Sequence, residues 1–220
     1  MEDRWTDVDR LFDSLLIPPD QALEHAITSS AAAGLPTIAV APNQGKLLHI
    51  LARATGARSI LEIGTLGGYS TIWLARALPA GGRLITLEVD PAHAAVASAN
   101  LAHAGLVDRV DVRIGRALDM LPVIEGEGAS FDLTFIDADK PNTAEYFTWA
   151  VHLSHPGSLI IVDNVVRRGA VLDPDSDDIN VQGMRRFNDV LASDPRVSAT
   201  VIQTVGVKGY DGFAVALVGD

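Results

Sequence analysis

The chain has 220 residues, 17 Lys and Arg against 28 Asp and Glu for a net charge of −11, with 48% hydrophobic and 20% charged residues. That composition argues against disorder and against collagen-like or coiled-coil structure, and no apolar run reaches the roughly 18 residues of a membrane span. Cysteine is absent, which excludes disulfides, thiolate metal sites and cysteine nucleophiles, and the acidic balance disfavours nucleic acid as a partner. Trp5–Leu16 has helical apolar spacing and stops at Pro18-Pro19; Asp20 then suits the cap of a second helix running to Gly34. Asn43 suits the cap of a third that ends at Gly56. From Arg58 onward short apolar runs alternate with helical stretches. The expected strands are Ser59–Ile63, Arg83–Glu88, Arg109–Ile114, Phe131–Ile136 and Ser158–Val162. Between them fall expected helices at Ser70–Leu78, Pro91–Ala104, Ala117–Leu121 and Asn142–Leu153. Strands apolar on both faces and alternating with helices predict a parallel α/β sheet covered on both sides. After a helix at Ile179–Leu191, strands Val197–Val205 and Phe213–Val218 are joined by Gly206–Gly212, too short a connection for a crossover, so this pair is expected to be antiparallel. The acidic start of the chain lacks the basic and apolar regions of a secretory signal. A cytoplasmic protein of one domain, with residues 1–40 as a helical extension of a core at 41–220, is the expectation.

In an open α/β sheet, ligands bind outside the carboxyl ends of the strands. Those ends are unusually polar here. The first expected strand contains Glu62 and enters Gly64-Thr65-Leu66-Gly67-Gly68-Tyr69-Ser70; the second ends at Glu88; the fourth runs into Asp137-Ala138-Asp139-Lys140; the fifth into Asp163-Asn164. A glycine turn feeding a helix lets a ligand approach the backbone and the free N–H groups of the helix start. Its G-x-x-G-G spacing differs from the dinucleotide fingerprint, and the same glycines also suit a bare strand-to-helix turn. Glu88, 24 residues beyond Gly64, stands where an acid meets ribose hydroxyls in such folds. Asp137, Asp163 and Asn164 are hard oxygen donors of the kind that hold Mg²⁺, Mn²⁺ or Ca²⁺, although each is also an ordinary turn or cap residue. Lys140 is one of only three lysines, and a desolvated lysine can act as a base or serve as a counter-ion to Asp137 or Asp139. The six histidines are scattered, and no G-x-S-x-G elbow supports a hydrolase triad.

Ile60–Ser70, Thr86-Leu87-Glu88, Phe135–Lys140 and Val162-Asp163-Asn164, in that order and spacing, resemble the cation-dependent O-methyltransferases. That group includes catechol and caffeoyl-CoA O-methyltransferases, and Lys208–Phe213 is similar to a stretch of its short bacterial members. The resemblance spans about Val40 to Val218. It implies a Rossmann-like, mostly parallel seven-stranded sheet with an antiparallel last strand. It also implies an S-adenosylmethionine site, with Val40, Glu62, Gly64, Thr65 and Ser70 at the methionine part. Glu88 would take the ribose hydroxyls, Ala117 would border the adenine, and Gly68 and Asp137 complete the cofactor-binding set. By the same resemblance, Asp137, Asp163 and Asn164 are metal ligands, Mg²⁺ being favoured. Lys140 is the general base in a catalytic set with Asp137 and Asn164. Thr143 stands where members often carry an aromatic residue. The implied reaction is methylation of a vicinal dihydroxy aromatic, a small phenolic substrate, by a homodimer whose N-terminal helices help build the interface. The segment Val165–Asn180 is expected to form a mobile wall over the substrate. An NAD-linked oxidoreductase or a non-catalytic adenosyl-ligand-binding protein are the alternatives; the first leaves Lys140 and Asp163-Asn164 without roles.

Overall fold

A computed structural model describes residues 2–219. Three helices come first: α1 (Glu2–Leu16), α2 (Gln21–Ala32) and α3 (Pro42–Ala54). Asp20 caps α2 by accepting from Ala22 and Leu23 N–H, and its carboxylate also pairs with Arg76 at 2.6 Å. Asn43, by contrast, is not a cap. The helix begins one residue earlier at Pro42, whose missing N–H costs nothing in a first turn, and Asn43 reaches across to Asp9 instead.

Then follow β1 (Ser59–Ile63), α4 (Tyr69–Ala77), β2 (Arg83–Glu88), α5 (Pro91–His103), β3 (Val110–Ile114), α6 (Ala117–Gly126) and β4 (Phe131–Ile136). The chain ends with α7 (Thr143–His152), β5 (Ser154–Asp163), α8 (Ile179–Ser193), β6 (Val197–Gly206) and β7 (Gly209–Val218). The sheet order is β3-β2-β1-β4-β5-β7-β6, with β7 antiparallel to both neighbours and every other pairing parallel. The seven-stranded, mostly parallel architecture with an antiparallel last strand is therefore as expected.

Alternating side chains separate two cores. Leu61, Ile136, Ile160 and Val162 pack beneath α6, α7 and α8 with Phe147 and Phe187. Ile60, Leu133, Phe135 and Ile161 face Leu48, Trp73 and Leu74 on the other side. Leu23, Ala26 and Val40 join this second core, so the N-terminal segment is packed into the fold.

The hairpin differs from expectation. Its strands run on through Gly206 and from Gly209, leaving only Val207-Lys208 as the turn in place of a seven-residue connection. Backbone pairing with the edge strand keeps Tyr210, Asp211 and Gly212 extended despite their turn-like chemistry. Because β1 pairs with β2 on one side and β4 on the other, the chain switches direction at its carboxyl end. That is where an open α/β sheet leaves a crevice.

Candidate active site

The crevice is a cavity of about 1050 Å³ above the ends of β1, β2 and β4, closed by residues 35–42 and by the β6–β7 turn. Val40, Gly64, Thr65, Ser70, Glu88, Ala117, Asp137, Lys140 and Asn164 all line it, whereas Glu62, Gly68 and Asp163 stand behind its wall. The residues singled out in the sequence thus converge on one place.

The glycine turn is built by close approach. Gly64 has φ +100, and a Cβ there would meet the Asp137 carbonyl oxygen at 2.1 Å, so only glycine lets β1 and β4 open onto a common floor. Gly68, at φ +83, turns the chain into α4 without a side-chain cap. Behind the turn, Glu62 is completely buried and accepts from Ser70 Oγ (2.6 Å), Thr71 Oγ1 (2.5 Å) and Thr86 Oγ1 (2.7 Å). Burial nevertheless pushes its carboxyl up to about 7, against the pull of these three hydroxyls. Glu88 accepts from Leu66 N–H (2.8 Å) and Thr65 N–H (3.2 Å) through Oε2, and from Asp90 N–H (3.0 Å) through Oε1. Two N–H groups occupy Oε2, and Oε1 keeps a lone pair for a ligand hydroxyl.

The other end of the cavity gathers charge. Lys140 Nζ lies 2.8 Å from Asp137 Oδ1, with the lysine side chain only 11% exposed. Asp163, at the end of β5, is 7% exposed, and burial together with the nearby Asp137 carboxylate pushes it up to about 7; Lys140 and the Gln44 amide pull the other way. Its Oδ1 accepts the Asn164 N–H, and Asn164 itself sits at φ +60, a left-handed conformation that non-glycine residues adopt at a cost. Two crowded carboxylates and an amide held in a strained backbone form a hard-oxygen donor set that a divalent cation would satisfy. The described residues hold no cluster of three or more His, Cys, Asp and Glu of metal-binding geometry, and the third donor in this set is an amide.

Three features escape sequence reasoning. Tyr146 lines the cavity with its hydroxyl on Asp139 Oδ1 at 2.5 Å, while Thr143 is buried beneath; burial and that carboxylate raise the phenol far above its ordinary value. The aromatic wall therefore comes from the next turn of α7. Asp211 Oδ1 accepts from Val166, Arg167 and Gly212 N–H at 3.1, 2.9 and 2.9 Å, tying β7 to the chain just beyond Asn164. The only signal for it was its place in the Lys208–Phe213 stretch. Finally, Val165–Asn180 is no bare loop: Arg167–Leu172 is a pair of tight turns joined at a left-handed kink through Arg168 and Gly169, and Arg185 Nη1 holds its Val171 carbonyl at 2.5 Å. His152 and His155 form surface pairs with Glu125 and Asp132, away from the cavity.

Residues 19–216 match the family described as O-methyltransferase. The catechol O-methyltransferase of Niastella koreensis is 57% identical over 96% of each chain. An O-methyltransferase from Bacillus cereus, solved in complex with SAH, superposes with a TM-score of 0.98 at 56% identity, over 99% of this chain and all of that one. One from Streptomyces achromogenes, solved with SAM, gives a TM-score of 0.96 at 55% identity, over 100% and 99%.

Proposed function

The chain belongs to the O-methyltransferase family, and we propose that it transfers the methyl group of S-adenosylmethionine to one hydroxyl of a catechol, with a divalent cation held by Asp137, Asp163 and Asn164. The observation that carries this reading is the meeting of Asp137, Lys140 and Asn164 with the glycine turn and Glu88 in one cavity.

The family relation and the cofactor-bound neighbours support S-adenosylmethionine as methyl donor. Glu88 receives its ribose hydroxyls, the Gly64 backbone admits its amino-acid part, and Ala117 borders its base. Glu62 acts through Ser70 and Thr71, which it fixes by hydrogen bonds. S-adenosylmethionine supplies an activated methyl on sulfur, and a bound cation, Mg²⁺ by donor type, supplies the charge that acidifies a chelated hydroxyl. A phenol with a pKa near 10 is otherwise a weak nucleophile at neutral pH. Lys140 Nζ, in its neutral amine form, accepts the hydroxyl proton, and Asp137 stabilises the ammonium so formed. Leu35, Ile38 and Val40 exclude water, and Tyr146 offers its ring to the substrate. The residues' remaining task is alignment of oxygen and methyl in near-attack geometry.

We further propose that the enzyme is a cytoplasmic homodimer. No helix among the described residues is long and apolar enough to cross a membrane. Leu11, Phe12, Leu15 and Leu16 of α1 and Ile202 and Val205 of the neighbouring edge strand β6 are exposed apolar side chains, the kind of surface a second copy covers. Light scattering that returns the 23.3 kDa monomer mass refutes the dimer.

The decisive experiment is methyl transfer to a catechol panel, with and without excess chelator, for the native chain and Asp163→Ala. Transfer that chelator and Asp163→Ala both abolish is expected. Undiminished transfer in chelator overturns the cation, and cofactor binding without transfer to any catechol overturns the substrate class.

A further inference from the structure

Among the described residues, the Arg167 guanidinium has no partner. Its side chain lines the cavity, three residues after Asn164, and makes no hydrogen bond among the described residues; its Nε is buried without a partner. A guanidinium carries five donors, and leaving a buried one empty is costly unless something else fills it. Asp178 feels the charge of Arg167, yet its carboxylate is spent capping α8 through Asn180 and is solvent-exposed, and Asp211 is engaged by backbone N–H groups. Arg167 also adopts φ +53 and Arg168 φ +55. Asp211 holds this strained turn through its bonds to the Val166 and Arg167 N–H groups. Backbone strain maintained by a dedicated carboxylate points to a side chain whose direction matters.

We propose that Arg167 binds an anionic substituent on the methyl acceptor, a carboxylate carried on the aromatic ring away from the reacting hydroxyls. The proposal rests on the catechol reading above and narrows it. The Cα atoms of Asn164 and Arg167 can be no more than about 11 Å apart along the chain. That span is short enough for an arginine side chain extended into the cavity to reach the far side of a single ring whose hydroxyls lie at Asn164. A planar fork matches a carboxylate bidentately, which a lysine cannot do. A chain of net charge −11 repels anions at long range. A local cation is then needed to make an acid the better substrate.

The test compares protocatechuate with its uncharged amide, two acceptors of nearly the same shape, in native enzyme, Arg167→Gln and Arg167→Lys. Native enzyme is expected to favour the acid at least tenfold in kcat/KM, through KM. Arg167→Gln brings that ratio near one, and Arg167→Lys restores part of it. Calorimetric titration of each acceptor into the full-length protein with S-adenosylhomocysteine and Mg²⁺ gives the same ratio as binding. Glutamine keeps a side chain at the strained position, and an unchanged melting temperature certifies the fold. A native ratio near one, or a preference that survives Arg167→Gln, overturns the proposal. Transfer to neither acceptor overturns the catechol reading instead.

Discussion

Glu62 and Asp163 are both buried at the same rim of the sheet, and both are held protonated up to about pH 7, yet their surroundings are opposite. Glu62 is met by three hydroxyl donors and needs nothing more from outside. Asp163 is met by a second carboxylate and an ammonium, with one backbone N–H on Oδ1 and the Gln44 amide as its neutral donors. Equal burial therefore serves two ends. The carboxyl completed by its own chain is scaffold for the glycine turn, and the one left incomplete is a binding group awaiting positive charge.

The sharpest way to break this contrast is at the incomplete end. Lys140→Met is expected to lower kcat about a thousandfold, the usual worth of a positioned general base, while melting within a few degrees of the native protein. A kcat within tenfold of native reduces Lys140 to a positioning group. At the completed end the effect belongs to stability. Glu62→Ala strands two buried threonine hydroxyls and Ser70, and is expected to cost about 3 kcal/mol in urea denaturation; a loss under about 1 kcal/mol would make the hydroxyl cage incidental.

Titration separates the two acids further. Each carboxyl keeps its proton in the fold after the unfolded chain has lost it, so their contribution is full below the unfolded value near 4.5 for Glu and is lost as pH rises through about 7. Stability, and the melting temperature with it, is expected to fall across that window, by about 3 kcal/mol for a carboxyl raised from 4.5 to about 7. Glu62→Gln makes the slope shallower. Added Mg²⁺ at neutral pH raises the melting temperature of Glu62→Gln but leaves that of Asp163→Asn unmoved. The smallest expected effect is that of Asp211→Asn, about 1 kcal/mol, because the amide oxygen still accepts the same N–H groups with less charge. Its melting curve and the KM of a carboxylated catechol report it together.

Much of this was legible in the residues. Short runs dominated by apolar side chains mark β1, β2 and β4 to the residue, because a strand buried on both faces stays mostly apolar even where single residues such as Glu62, Thr86 and Thr134 interrupt it. Boundaries blur where tertiary pairing overrides local chemistry. His155-Pro156-Gly157 looks like a turn before β5, yet the strand starts at Ser154 and absorbs those residues in a register shift against β4. α6 likewise runs past Pro122 to Gly126, beyond the expected end at Leu121. The polar strand ends were readable as one rim because topology brings carboxyl ends together. Tyr146 and Asp211 were not, since their roles depend on which helix turn faces the cavity and which strand lies beside β5. The glycine turn and Glu88 alone left an NAD-linked alternative standing; membership in the O-methyltransferase family sets it aside.

The placement of β7 between β5 and β6 also governs how the molecule is born. Asp163 pairs with Phe213, and Asp211 fastens the turn after Asn164, so both depend on the last dozen or so residues. A ribosome releases those residues after the rest of the sheet. Until they emerge, the open edge of β5 has no neighbour, and β6 has nothing to join it to the sheet. Completion of the sheet and completion of its chemistry are then one event. A polypeptide cut short before Gly209 would lose the donor end of its cavity together with its final strand, so that a prematurely terminated product is inert and open to proteolysis.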